Sequence, residues 1–169
     1  MSIAEHTTPQ PPKRLRFGWR RLIGPLFSVV LIAAVFLSAL SGHRWSGTAQ
    51  VVAYACGGTL LALGLWMLIA GGAKLGKALT PLPAPKREGD VVSSGVYRLV
   101  RHPMYGGGLL IALGWTILFA TVLGLVFTIV LTVFLDLKSR REELWLVDKL
   151  RGYEAYRRAT THRLVPFIY

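Results

Sequence analysis

The chain has 169 residues, 53% of them hydrophobic and 17% charged, and its mean hydropathy is +0.47. A soluble domain carries about 25% charged residues, so a small soluble enzyme is disfavoured. The formal charge is +12, from 20 Lys and Arg against 8 Asp and Glu, and the cations flank long uncharged runs; that arrangement points to a membrane surface and away from nucleic acid. The single cysteine, Cys56, lies inside such a run, which excludes a disulfide framework and a cysteine-based zinc site; no metal is expected.

Residues 1–21 read as a basic cytoplasmic tail, whose first twelve residues include three prolines and too little apolar content to order. Leu22–Gly42 then runs for 21 residues without an ionisable side chain. It is longer than the 7–15-residue apolar region of a signal peptide, so it reads as an uncleaved anchor. Gly47–Ala73 adds 27 uncharged residues. A crossing needs about 20 apolar residues for a ~30 Å hydrocarbon core, so each of these runs supplies one span.

Pro103–Leu135 is 33 residues long, roughly 50 Å as one helix and too long for a single crossing. A turn within Ala120–Gly124 would divide it into two arms, the second continuing as helix beyond the membrane to Leu150. The reading is an all-α integral membrane protein of about four transmembrane helices, near 22–42, 47–73, 103–119 and 122–138. The last two form a helical hairpin, and residues 22–169 make one membrane domain. With that count 19 of the 20 basic residues fall on one side, in the tail, the loop 74–102, Lys138 at the end of the fourth span and the C-terminal region 139–169, and only Arg44 on the other. The positive-inside rule makes both termini cytoplasmic, in a multi-pass protein of a bacterial cytoplasmic membrane.

The polar segments carry the candidate chemistry. Thr80–Pro85 holds three prolines and cannot be helical. After it come Gly89, Asp90, Val91 and Val92, then Tyr97, Arg101, His102, Pro103 and Tyr105. Gly89 and Gly95 permit tight turns, and Pro103 suits a first helical turn. The backbone N–H groups of that helix start, with His102 and Tyr105 beside them, are expected to face the cytoplasm. On its own this segment reads equally well as a punctuated helix start with an interfacial tyrosine.

Beyond the hairpin, Lys138, Glu142, Trp145 and Lys149 share one helical face. In isolation those charges would simply be solvated. A hairpin, however, returns its second arm beside the start of its first, so Glu142 and Glu143 should approach His102 and Tyr105. Tyr153, Tyr156 and the terminal apolar residues then read either as a cap over such a site or as an interfacial anchor.

Ser94-Gly-Val-Tyr97-x-x-x-Arg101-His-Pro-x-Tyr105-x-Gly107, the hairpin, Glu142-Glu143-x-x-Leu146, Gly152-Tyr153-x-x-Tyr156 and Leu164-x-Pro166 occur in that order. This set resembles the isoprenylcysteine carboxyl methyltransferase family over about residues 60–169. The broader group includes phospholipid N-methyltransferases that share the paired glutamates. The resemblance implies S-adenosylmethionine as cofactor, held in a cytoplasmic pocket capped by the C-terminal segment. It also implies a lipophilic or lipid-modified acceptor drawn from the bilayer lipids. Matching positions imply cofactor contacts at Gly89, Asp90, Val91, Val92, Tyr97, His102, Pro103, Tyr105, Glu142 and Glu143. The family positions its acceptor with an arginine four residues before the first glutamate; here Lys138 holds that place, with Arg141 or Arg140 beside it, so Lys138 and Arg141 are the candidate catalytic residues. Lysine keeps the charge but not the bidentate fork.

The function expected is S-adenosylmethionine-dependent methylation of a membrane-borne acceptor, as carboxyl O-methylation of the isoprenylcysteine type. N-methylation of a phospholipid amine is the nearest alternative. A sterol-type membrane reductase using a nicotinamide phosphate, and a non-catalytic scaffold holding anionic headgroups, are the others.

Overall fold

Runs of apolar residues punctuated by glycine, proline and threonine become helices whose ends those residues define. The computed structural model describes residues 20–43, 45–76 and 91–166, with side chains from residue 23 onward. The expectations for residues 1–19, Arg44, the loop 77–90 with Gly89 and Asp90, and residues 167–169 lie outside the described residues. Helix α1 is Arg20–Leu37, α2 Gly47–Leu75, α3 Pro103–Leu118, α4 Val122–Lys149 and α5 Tyr153–Ala159. Among the described residues all regular structure is helical, as expected.

Three stretches are long and apolar enough to cross a membrane: Ile23–Ser41, Gly47–Leu75 and Val122–Lys149. The fourth, α3, is apolar but has 16 residues, about 24 Å of helix at 1.5 Å per residue. Only 17–28% of the three spanning windows is buried inside the protein. Side chains such as Leu26, Val29, Val51 and Ile69 are more than half exposed, apolar surface far beyond what a water-solvated monomer leaves uncovered. Lipid is the solvent that suits it.

Local chemistry sets the helix ends. Pro103 occupies the first turn of α3, where its missing N–H costs nothing. The reversal between α3 and α4 takes only Phe119–Thr121, with Ala120 in the left-handed region at φ 47°. Val122–Gly124, expected within the turn, are already helical because the Thr121 hydroxyl caps α4, accepting from the Gly124 amide at 3.2 Å. Thr116 and Thr128 then share a hydrogen bond at 3.2 Å between the two helices.

Helix α3 is the centre of the arrangement. Leu109 and Ala112 join Leu31 and Val35 of α1, Leu131 and Leu135 of α4, and Leu164 in one buried cluster. Toward α2 the contact is a seam of glycines seven residues apart. Gly57 faces Gly114 and Gly64 faces Gly107, each so close that a Cβ on any of the four would lie 2.6–2.9 Å from the partner's carbonyl oxygen. Gly71 continues the seam onto Pro103 and Met104. Small residues let helix backbones approach where lipid offers no hydrophobic drive between helices. This seam fixes the start of α3, and with it the residues that precede Pro103.

Candidate functional site

Arg101 and His102 enter α3 from an irregular stretch, so their backbone groups need partners from elsewhere. The C-terminal segment supplies them: Arg101 N–H donates to the His162 carbonyl at 3.1 Å and His102 N–H to the Arg163 carbonyl at 2.9 Å. Pro103 has no N–H, while the amides of Tyr105 and Gly106 turn back to the His102 carbonyl. The expected row of free amides at this helix start is therefore corrected; most of them are spent holding residues 162–163 and closing the first turn. Gly106 is close beneath this segment, and a Cβ there would collide with the Leu164 carbonyl.

The last turns of α4 come back to the same place. Tyr105 O–H donates to Glu142 Oε2 at 2.8 Å, and His102 Nε2 lies 3.2 Å from Glu143 Oε1. The His102 nitrogen is in ion-pair range without the alignment of a hydrogen bond. Its ring stacks parallel to that of Tyr105, with centroids 5.4 Å apart. Lys138 Nζ sits 5.0 Å from the Tyr105 ring centroid, within cation–π range. Imidazole, phenol, both carboxylates and the lysine thus form one cluster, drawn from the start of α3 and the end of α4.

The two glutamates differ in surroundings. Glu142 is half-buried. Glu143 is 3% exposed, and both its oxygens are engaged by Arg101, through Nε at 2.8 Å and Nη2 at 3.4 Å. Arg163 Nε approaches the same carboxylate to 3.3 Å. Arg101 stands in the motif read from the sequence, but neither arginine was among the cofactor-binding or catalytic candidates. The signal available was an arginine directly before His-Pro, whose charge has to be met wherever the helix start is buried.

The remaining candidates fall into three groups. Pro103 is fully buried against Gly71, where it packs the helix start. Val91 and Val92 pack on a buried cluster of Tyr97, Tyr153 and Tyr156. Tyr156 O–H donates to the Tyr97 carbonyl at 2.7 Å, and the buried Tyr153 hydroxyl has no hydrogen-bond partner among the described residues. Burial holds the Tyr97 and Tyr153 phenols well above the usual tyrosine range and pushes Tyr156 up to about 12, so all three are neutral donors at physiological pH. Arg141 is exposed on α4, and no described contact ties it to the cluster. Arg140 is exposed and paired with Asp136 at 2.7 Å. A groove of about 560 Å³ runs beside the tyrosines, lined by Val91, Ser93, Arg98, Gly152, Ala155, Tyr156, Ala159 and Thr160.

Comparison with known proteins identifies the family. Residues 52–151, more than half of the chain, match the family model described as phospholipid methyltransferase. The protein-S-isoprenylcysteine O-methyltransferase of Schizosaccharomyces pombe is 33% identical over 102 residues, covering 58% of this chain and 43% of that protein. Probable protein-S-isoprenylcysteine O-methyltransferases of Oryza sativa subsp. indica and japonica are each 39% identical over 80 residues, or 46% of this chain and 41% of theirs. The chain spans about two fifths of the length of these curated relatives.

Proposed function

The chain belongs to the phospholipid methyltransferase family, and from that premise we propose that it is a membrane methyltransferase that uses S-adenosylmethionine to methylate a carboxylate on a lipophilic, isoprenylcysteine-like acceptor. The observation that carries this reading is the convergence of Glu142, Tyr105 and Lys138 at 2.8 Å and 5.0 Å, where the family resemblance puts donor and acceptor. The expected four spans and terminal hairpin belong to the same proposal. They are supported by the three-residue reversal after α3 and by the contact of Tyr105 with Glu142 across 37 positions of sequence.

The donor set fits the cofactor. S-adenosylmethionine has a net charge near +1, and the half-buried Glu142 carboxylate offers the opposite charge. The buried Tyr153 hydroxyl, without a hydrogen-bond partner among the described residues, offers a hydrogen bond from the neighbouring cluster. Glu142, oriented by Tyr105, and Tyr97 and Tyr153 are the groups that would hold the cofactor, with Val91 and Val92 as apolar walls; His102, Pro103 and Glu143 support them from behind. When bound, the cofactor supplies an electrophilic methyl group on a sulfonium.

The protein's own residues do the rest by placement. Glu142 favours the charged donor over the spent thioether, because only the donor carries the sulfonium charge. Lys138, half-buried beside Tyr105, aligns an acceptor carboxylate that is already ionised at neutral pH and so requires no base. Residues 160–164, lying over the start of α3, keep water from the reacting groups.

The test is turnover of radiolabelled S-adenosylmethionine by the purified full chain in detergent, with N-acetyl-farnesylcysteine or phosphatidylethanolamine vesicles as acceptor. The expected product is a base-labile methyl ester on the prenylcysteine. Stable label on the amine lipid would replace the proposal with N-methylation. Binding of a nicotinamide phosphate without S-adenosylmethionine binding would replace it with the reductase reading.

A further inference from the structure

Glu142 and Glu143 are neighbours in sequence, yet about 100° of helical rotation separates their side chains. We propose that Glu143 is the anion of a buried lock, centred on Arg101, that pins residues Thr160–Leu164 onto the start of α3 and leaves Glu142 as the one glutamate of the pair presented to a ligand. The part concerning Glu142 rests on the methyltransferase reading; the lock stands on geometry alone.

The Arg101 side chain makes four hydrogen bonds. Two go to α4, from Nε to Glu143 Oε1 at 2.8 Å and from Nη2 to Oε2 at 3.4 Å; two go from Nη1 to the carbonyls of Thr160 and Thr161 at 2.6 and 2.8 Å. A planar fork of five N–H donors can grip a carboxylate through two nitrogens while a third reaches another element, a geometry that a lysine's three donors on one nitrogen do not offer. The backbones of Arg101 and His102 hold residues 162–163 as well. Arg163 then returns from that segment to α4, with Nη1 3.1 Å from Asp136 Oδ1 and Nε 3.3 Å from Glu143 Oε1. Leu164 is buried in the helical core and its carbonyl abuts Gly106. One carboxylate thus ties α4, the entrance to α3 and the C-terminal segment together.

The same bonds remove Glu143 from ligand binding. Both its oxygens accept from Arg101, two further cation-capable groups crowd Oε1, and the residue is 3% exposed. A buried pair of this kind is costly to break one partner at a time, because the other charge stays behind unpaired. Glu142 accepts from Tyr105 through Oε2, and among the described residues no donor meets its second oxygen. Arg101 and Glu143 are positioning residues; Glu142 touches the ligand.

Hydrogen exchange of the full chain in detergent, without ligand, reads the lock. Calorimetry with S-adenosylmethionine reads the ligand site. Glu143→Gln should accelerate exchange of the Arg101 and His102 amides and of residues 160–164 by roughly tenfold or more, since it leaves a buried arginine unpaired; Glu142→Gln should leave that exchange at the wild-type rate. Glu142→Gln should weaken S-adenosylmethionine binding roughly tenfold, the usual cost of a lost charged partner, and Glu143→Gln should weaken it less.

Arg101→Lys, which keeps the charge without the fork, should reproduce the Glu143→Gln exchange, and it carries the test if that variant does not fold. The double variant Arg101→Gln/Glu143→Gln should exchange more slowly than Glu143→Gln, because no buried charge is left alone; general loosening would not be rescued this way. Exchange unmoved by Glu143→Gln and Arg101→Lys, or moved as much by Glu142→Gln, overturns the lock. Equal loss of affinity in the two glutamate variants overturns their division. If the wild type binds no S-adenosylmethionine, the functional reading falls, and with it the role given to Glu142, while exchange still decides the lock.

Discussion

Adding one methyl group at Gly64 should force α2 away from α3. A Cβ there would lie 2.6 Å from the Gly107 carbonyl oxygen, 2.8 Å from Ile111 Cγ1 and 3.0 Å from the Ile111 nitrogen. A tolerable C···O contact is about 3.3–3.6 Å, so the helices must part by close to 1 Å. Two of the three neighbours are backbone atoms that cannot rotate aside. Overpacking of this kind costs about 1–3 kcal/mol, and the unyielding neighbours place Gly64→Ala toward the upper end. Replacing glycine by alanine inside a helix returns up to about 1 kcal/mol, for a net loss of about 1–2 kcal/mol. Gly58, six positions earlier on α2, has nothing within 4 Å of its would-be Cβ, so Gly58→Ala should show only the favourable part. Reversible unfolding in mixed micelles of rising SDS fraction, followed by helical circular dichroism, measures both. Equal midpoints for the two variants would refute the close approach of α2 and α3.

Three further outcomes are expected. Tyr105→Phe removes the donor that orients Glu142, and since hydrogen bonds to charged groups contribute about 1.5–3 kcal/mol, calorimetry should show S-adenosylmethionine affinity reduced about tenfold or more; unchanged affinity would take Tyr105 out of the site. Lys138→Ala should lower turnover with a prenylcysteine acceptor while leaving donor affinity near wild type, and Lys138→Arg should restore turnover; a matching loss of donor affinity would move Lys138 into the donor site. The Tyr156 phenol is held by burial at about 12 in the folded state against about 10 unfolded. Its contribution is therefore intact below pH 10 and lost as pH rises through 12, so the unfolding midpoint should fall more steeply between pH 10 and 12 in the wild type than in Tyr156→Phe, and coincident slopes would contradict a buried phenol.

The lengths of the uncharged runs were enough to give an all-helical, lipid-solvated chain, because a helix advances a fixed distance per residue and a bilayer has a fixed thickness. Pro103 marked the start of α3 for an equally local reason, its missing N–H. Even the meeting of Glu142 with Tyr105 followed from sequence, since a short reversal after α3 leaves its partner helix nowhere else to return. What periodicity could not say was how the two glutamates divide. Residues one apart on a helix point in different directions, and which direction is inward depends on what packs there: Arg101, Arg163 and the carbonyls of Thr160 and Thr161. The glycines at 57, 64, 71, 107 and 114 were visible as a seven-residue spacing, but only the facing helix turns such a spacing into a seam. The free amides expected at the start of α3 were lost to residues 162–163, some sixty positions away in sequence. Local stereochemistry wrote the elements; long-range pairing of buried polar groups, which must find partners wherever the fold brings them, decided what the site leaves open.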